Sequence, residues 1–288
     1  MKSNLLLLLT AAIWGFAFVA QRVGMDNVGP FTFNGVRFLL GSISLIPLLW
    51  FFRGDALYQS REWKRGIWPG ILAGTVLFMG ATLQQIGLVY TTAGKAAFIT
   101  SLYIVAVPVI GIFLRQPVSR ATWLGCFLTV IGLYFLCIKE SASLQYGDLL
   151  ELCGAFFWAF HILIIGYFSR RVDALKLSLV QFLTCSILSL IIALATETIM
   201  INQLLAAAIP ILYGGICSVG IAYTLQVIGQ RNSPPAHAAI IFSMEAVFAV
   251  IGGFLLLGEK LAVQEIVGCI LMLAGMLISQ LNNQLSSA

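Results

Sequence analysis

Leu83-Gln84-Gln85-Ile86-Gly87 returns as Leu225-Gln226-Val227-Ile228-Gly229, 142 residues further along the chain. The echo extends outward on both sides. Trp14 and Phe16 lie over Trp158 and Phe160, and Val36-Arg37-Phe38-Leu39 lies over Val180-Gln181-Phe182-Leu183, at a shift of 144. Gly125-Cys126 lies over Gly268-Cys269, and Gly132 over Gly275, at 143. Blocks spread along the whole chain agree within two residues, which marks a duplication with units at 1–140 and 146–284.

The solvent of both units is lipid. Of the 288 residues 60% are hydrophobic and only 9% charged, with a mean hydropathy of +0.99. A soluble domain carries roughly 25% charged residues. A spanning helix needs about 20 apolar residues, because the hydrocarbon core is about 30 Å thick and each residue rises about 1.5 Å. The apolar runs predict ten spans near 4–21, 31–52, 67–88, 94–114, 121–138, 148–168, 175–195, 209–229, 235–257 and 262–280. Gly29-Pro30 and Pro234-Pro235 stand at helix starts, where a missing N–H costs nothing. The first run has no small-residue cleavage site and reads as a retained helix. Arg53 to Arg65 is too short to bury a core, so no aqueous domain is expected.

Loop charge sets the orientation. With a cytoplasmic N-terminus, the inner segments hold eleven basic residues, among them Arg61, Arg115, Arg120, Arg170, Arg171 and Arg231. The outer segments hold three, Arg22, Lys139 and Lys260. The positive-inside rule therefore predicts a multi-pass protein of the cytoplasmic (inner) membrane with both termini in the cytoplasm. The net charge of +5 is explained by these loops, and no nucleic-acid partner is expected.

Five helices per unit is an odd number, so the second unit enters the membrane from the opposite side. Arg115 and Arg120 follow the fourth span, whereas the neutral Glu259-Lys260 follows the ninth, as an inverted pair requires. The expected fold is an all-α membrane protein of ten transmembrane helices, built from two inverted five-helix repeats around a central cavity. Inverted repeats recur in secondary transporters, whose solute sites lie near the midplane between the halves.

The motifs point the same way. Ala11-Ala12-Ile13-Trp14-Gly15-Phe16, Arg37-Phe38-Leu39-Leu40, and Thr91 to Tyr103 resemble the first-, second- and fourth-helix signatures of EamA-type members of the drug/metabolite transporter superfamily. Ala239 to Ala249 resembles their ninth helix, with Ala246 in place of the family's proline, and Gly258-Glu259 matches the pair that ends it. The resemblance covers both repeats. It implies a ten-helix basket around a cavity and, usually, export of metabolites or amino acids; it says little about cargo.

Several polar side chains fall within spans. A charge at the bilayer centre costs about 2.5–3.5 kcal/mol on insertion scales, so Glu245 should face the bundle interior or a wet cavity. It serves either as a proton or solute-amine site or as a carboxyl that fixes packing. Arg37 either pairs with Glu245 or takes a solute carboxylate bidentately. Lys95 and its repeat counterpart His237 are candidates for the cavity wall, although the Lys95 stem could equally snorkel. Gln84, Gln85 and Gln226 either join helices or bond a solute. Trp14, Trp158, Tyr103, Tyr223 and His161 either pack or line an aromatic pocket. Trp50, Trp63 and Trp68 read as interface anchors. Gly70 to Gly74 forms a GxxxG motif suited to close helix contact within the chain, so a monomer is expected and a dimer stays open.

The six cysteines lie in apolar stretches without CxxC spacing, so neither a metal site, a cofactor nor a disulfide framework is expected. No Walker A sequence is present, so uphill transport would draw on proton coupling or exchange. His161 and His237 lie in different repeats without a nucleophile or metal cluster, which argues against an enzyme. The sequence therefore predicts a secondary transporter that exports small metabolites, such as amino acids or related amphipathic solutes, by alternating access. An exporter of multiple drugs or cationic compounds, and a non-transporting membrane scaffold or sensor, are the alternatives.

Overall fold

The computed structural model describes residues 2–51, 60–91, 93–137, 145–257 and 262–285, with side chains at all of these except 60–64, 93–94, 136–137, 257 and 280–285. The described residues form helices and short connections, with no strand among them. The helices are α1 (Lys2–Gly24), α2 (Pro30–Phe51), α3 (Ser60–Tyr90), α4 (Ala93–Ser101), α5 (Tyr103–Phe113), α6 (Arg120–Cys137), α7 (Tyr146–Phe168) and α8 (Ala174–Thr196). There follow α9 (Ile201–Ala206), α10 (Ala208–Leu212), a π-helical stretch Tyr213–Tyr223, α11 (Thr224–Gln230), α12 (Pro235–Phe242), α13 (Glu245–Leu257) and α14 (Val263–Leu285).

Among the described residues, eight helical stretches are long and apolar enough to cross a membrane. The shorter apolar helices Arg120–Phe135 and Val263–Ser279 occupy the fifth and tenth predicted positions. Phe113, Leu194 and Ile209 are among many large apolar side chains on the outside. The chain is thus an all-helical, multi-pass membrane protein whose outer surface suits acyl chains. Trp50 and Trp68 are 71% and 68% exposed, as anchors require; the side chain of Trp63 lies outside the described residues. Helix α9 has no counterpart among the predicted spans, being too short to register as one.

Predicted spans four and nine are each interrupted. Around Leu102 the ladder shortens to three-residue spacing, with Leu102 N–H donating to Ile99 O at 3.1 Å and Val105 N–H to Leu102 O at 3.0 Å. Pro108 lies beyond the break and has no N–H for the Ile104 carbonyl, which instead accepts from Cys126 Sγ at 3.5 Å. In the ninth span Met244 N–H donates to Ile241 O at 3.2 Å and Ala246 N–H to Ser243 O at 3.1 Å. No proline stands there. Ser243 Oγ donates back to Ile240 O at 2.8 Å, a side-chain bond of the kind that bends helices. Each break places a fresh helix start, Tyr103 or Glu245, inside the protein.

Close crossings hold the two halves together. Helix α6 packs on α14, α2 on α8, and α3 on both α7 and α8. Gly70 and Gly74 lie against Val180 and Gln181 of α8, so the GxxxG surface is used within the chain. The Glu197 carboxylate, just past α8, accepts from the backbone N–H groups of Phe31 (2.9 Å) and Thr32 (2.7 Å). It thereby satisfies donors left open at the start of α2 and opposes the positive end of its dipole.

The α6–α14 crossing depends on missing side chains. A Cβ on Gly132 would meet Gly268 O at 2.6 Å, and one on Gly275 would meet Gly125 O at 2.7 Å. Gly132→Val is expected to lower stability by about 1–3 kcal/mol through overpacking, seen as a lower thermal-unfolding midpoint in detergent. Gly66→Ala, where a new Cβ would meet Lys176 Cβ at an ordinary 3.8 Å, is expected to leave the midpoint unchanged or raise it. Equal losses for both variants would contradict the crossing.

Candidate solute-binding cavity

The two breaks meet at one hydrogen bond. Tyr103 Oη, at the start of α5, donates to Glu245 Oε1, at the start of α13, at 2.9 Å. Both side chains are nearly inaccessible, at 3% and 4%. Both border a cavity enclosed by α1, α2, α3, α4, α5, α7, the π-helical stretch, α11 and α13. The space open to the centres of water molecules is about 30 Å³, enough for a few waters and far too small for a metabolite.

One wall is basic. Arg37 borders the cavity, 2% exposed, and is positioned from behind. Its Nε donates to Asn34 Oδ1 at 3.0 Å, while Asn34 Nδ2 donates to Ala81 O at 3.1 Å. The guanidinium carbon sits 5.0 Å from the Phe38 ring centroid and 5.6 Å from that of Phe33, within cation–π range. The sequence suggested a direct Arg37–Glu245 pair. Among the described residues no ion pair joins them; each has its own neutral partner, and the cavity lies between the surfaces they border.

The remaining walls are aromatic and amide. Trp14 and Tyr223 lie 4.7 Å apart between centroids, and Trp158 stacks on Tyr223 at 6.2 Å and 22°. Trp14 Nε1 donates to Ser218 O at 3.3 Å, using a carbonyl of the widened π-helical turn. Such π segments are frequent at functional sites. Gln226 Nε2 donates to Gln230 Oε1 at 3.1 Å, and Gln230 Nε2 to Ile162 O at 3.0 Å. This chain fixes the Gln226 amide with its Oε1 unpartnered among the described residues. Trp158 Nε1 and Gln21 Oε1 are likewise buried without a hydrogen-bond partner among them.

Glu245, Arg37, Gln84, Gln226, Tyr103, Trp14 and Trp158 therefore all border this one cavity. Lys95 and His237 do not. Lys95 Nζ is ion-paired with Asp148 Oδ2 at 2.6 Å at the start of α7, and His237 Nδ1 lies 3.3 Å from Ser279 Oγ. His161 stands behind the aromatic wall, its Nε2 2.9 Å from Gln181 Oε1. Sequence reasoning passed over Gln21, Thr100 and Ser218. Gln21 carried a signal, a polar residue one helical heptad beyond Trp14; Thr100 and Ser218 carried none that separates them from ordinary spanning residues.

The Tyr103–Glu245 bond is testable alone. A double-mutant cycle of Tyr103→Phe with Glu245→Gln, read as unfolding free energies in mild detergent, is expected to give a coupling on the order of 0.6–1.7 kcal/mol. Additivity of the two substitutions would contradict the bond.

Comparison with known proteins agrees with this architecture. The sequence profile of the EamA-like transporter family matches residues 1–138 and again 145–280. An uncharacterized transporter of Archaeoglobus fulgidus is 32% identical over 281 residues, covering 97% of this chain and 86% of that protein. The uncharacterized transporter YoaV of Bacillus subtilis is 23% identical over 275 residues, covering 93% and 92%. A crystal structure of another protein superposes with a TM-score of 0.80 at 18% identity, covering 100% of this chain and 99% of that one.

Proposed function

The chain belongs to the EamA-like transporter family, and we propose that this transporter exports small zwitterionic metabolites of amino-acid type across the cytoplasmic membrane by alternating access. The single observation that carries the reading is a cavity bordered at once by Arg37, Glu245 and a Trp14–Tyr223–Trp158 aromatic group. A guanidinium matches a carboxylate, a carboxylate matches an ammonium group, and the rings shield an apolar side chain. Trp158 Nε1, Gln226 Oε1 and Gln21 Oε1 add a donor and two acceptors for the remaining polar atoms.

Alternating access by two inverted repeats, over 1–140 and 146–284, is part of the proposal. Support comes from the double profile match and from the α6–α14 crossing, where Gly125 meets Gly275 and Gly132 meets Gly268. Gly268 and Gly275 are the repeat images of Gly125 and Gly132, so the contact exchanges with itself under a two-fold swap. The narrow cavity fits a carrier that opens to one side at a time, since a metabolite enters only when the walls part.

Within this reading Glu245 holds the solute amine, and export runs by proton coupling or exchange. The protein acts as a monomer in lipid, with both termini cytoplasmic, and catalyses no reaction. Export of lipophilic cations is the second reading, favoured by Glu245 but opposed by Arg37 on the same cavity. A scaffold or sensor would need none of these groups.

A thermal-shift and proteoliposome screen of the purified protein tests the cargo. Amino acids and related zwitterions are expected to stabilise it and to exchange, and Arg37→Ala or Glu245→Gln to weaken binding roughly 10- to 150-fold, the equivalent of about 1.5–3 kcal/mol for a charged hydrogen bond. Stabilisation by lipophilic cations alone, unaffected by Arg37→Ala, would overturn the zwitterion reading. For topology, Asn27→Cys is expected to react with an impermeant maleimide from outside intact cells, and Arg171→Cys only after permeabilisation. The reverse pattern would invert the orientation.

A further inference from the structure

A second acid stands behind the cavity wall. Glu151 is on α7, a turn beyond Asp148, and is 0% exposed. Thr100 Oγ1 donates to Glu151 Oε2 at 2.8 Å, and Thr100 itself borders the cavity. The other oxygen, Oε1, is buried with no hydrogen bond among the described residues. It lies against the bare backbone of α3, where a Cβ on Gly87 would meet it at 2.6 Å. The missing side chain at Gly87 is what makes room for the carboxyl group.

An ionised carboxylate in this position would hold its charge in an apolar setting with one oxygen unserved, which is among the costliest arrangements a protein can contain. A proton removes the charge and lets the group act as donor as well as acceptor. Among the described residues no cation is paired with it. Lys95, the near base on α4, is ion-paired with Asp148, whose Oδ1 accepts from Thr91 Oγ1 at 3.0 Å and whose Oδ2 also accepts from Gln145 N–H at 2.8 Å. Tyr90 of α3 packs on Gly147 and stacks edge-on with Tyr146. Toward the cavity, Tyr103 of α5 is bonded to Glu245 of α13. Further along α7, His161 faces Gln181, and His237 of α12 faces Ser279. The charged groups nearest in the polar run are thus an acid satisfied by its own base and a second acid across the cavity, and both leave Glu151 to hold a proton rather than a counter-ion.

We propose that Glu151 is a proton-binding site distinct from the solute cavity and joined to it through Thr100, with the Asp148–Thr91–Lys95 cluster one helical turn away toward the Tyr146 end of α7. The proton arrives from water as hydronium, converts the carboxylate to the carboxylic acid, and leaves to water by the same exchange. Glu245 then serves the solute while Glu151 carries the coupling proton. The inference rests on the transporter reading for its purpose, but proton binding at Glu151 is measurable with no solute present.

Infrared difference spectroscopy of the full chain in lipid nanodiscs, titrated from acid to alkaline pH, reads the C=O stretch of a protonated carboxyl group. The wild type is expected to show a titrating band that Glu245→Gln keeps and Glu151→Gln loses. Thr100→Val, which leaves the acid in place but removes its partner, is expected to shift the frequency of that band, and it decides the matter should Glu151→Gln fail to fold. Absence of the band in the wild type, its survival in Glu151→Gln, or an unmoved band in Thr100→Val would overturn the proposal. A transport screen that finds no solute, with the band assigned to Glu151, would instead count against the transport reading alone.

Discussion

A carboxylate deep in a membrane protein must find polar company, and Glu245 finds it in Tyr103 at 2.9 Å. Much of the interior can be derived from that constraint. The two residues meet because two helices break, at Leu102 and at Ser243–Met244, and each break turns a spanning helix into two with a new start inside the protein. Helix starts carry free N–H groups and a positive dipole end, so an acid as the first residue of α13 is in the right place electrostatically. In secondary transporters such discontinuous helices mark the solute site.

The same constraint explains how the cavity stays small yet polar. Arg37 is steadied by Asn34 and two phenylalanine rings, Gln226 by Gln230, and Trp14 by the Ser218 carbonyl of the π-helical turn. Each group is fixed from behind by a neutral partner, which leaves its front unspent. Packing does the opposite work at the α6–α14 and α3–α7 crossings. There Gly132, Gly275 and Gly87 let backbone or carboxyl atoms approach to distances a side chain would forbid. The cavity keeps unspent polar atoms while the helix joints are tight, an arrangement that suits the proposed motion of the halves as bodies.

Much of this was legible in the sequence, for identifiable reasons. Apolar runs of spanning length gave the membrane fold, because lipid tolerates little else. The cost of intramembrane charge singled out Glu245 and Arg37, repeated tryptophans and glutamines pointed to four more residues of the same cavity, and Tyr103 and Tyr223 stood out as aromatics at mid-span. The breaks were not legible at α12–α13, where neither proline nor glycine stands and Ser243 does the bending through a short side-chain bond. At α4–α5, Pro108 was the one available sign. Lys95 and His237 misled because their depth was readable but the direction of their side chains was not; Asp148 and Ser279 claim them. Glu151 and Asp148 were overlooked as the polar beginning of a span, and only the fold reveals that Glu151 is sealed against Gly87 and Thr100.

In the proposed alternating-access cycle the two halves rock about the Tyr103–Glu245 region, opening opposite ends in turn. Val23 of the first half and Tyr146 of the second are exposed at one end of the bundle, and Phe113 of the first and Tyr167 of the second at the other. Double electron–electron resonance between spin labels on Val23 and Tyr146, and separately on Phe113 and Tyr167, in lipid nanodiscs over a range of pH, measures the motion directly. The account predicts that the long-distance population at one end grows as that at the other shrinks. Distances that stay fixed at both ends, or that lengthen together, would contradict it.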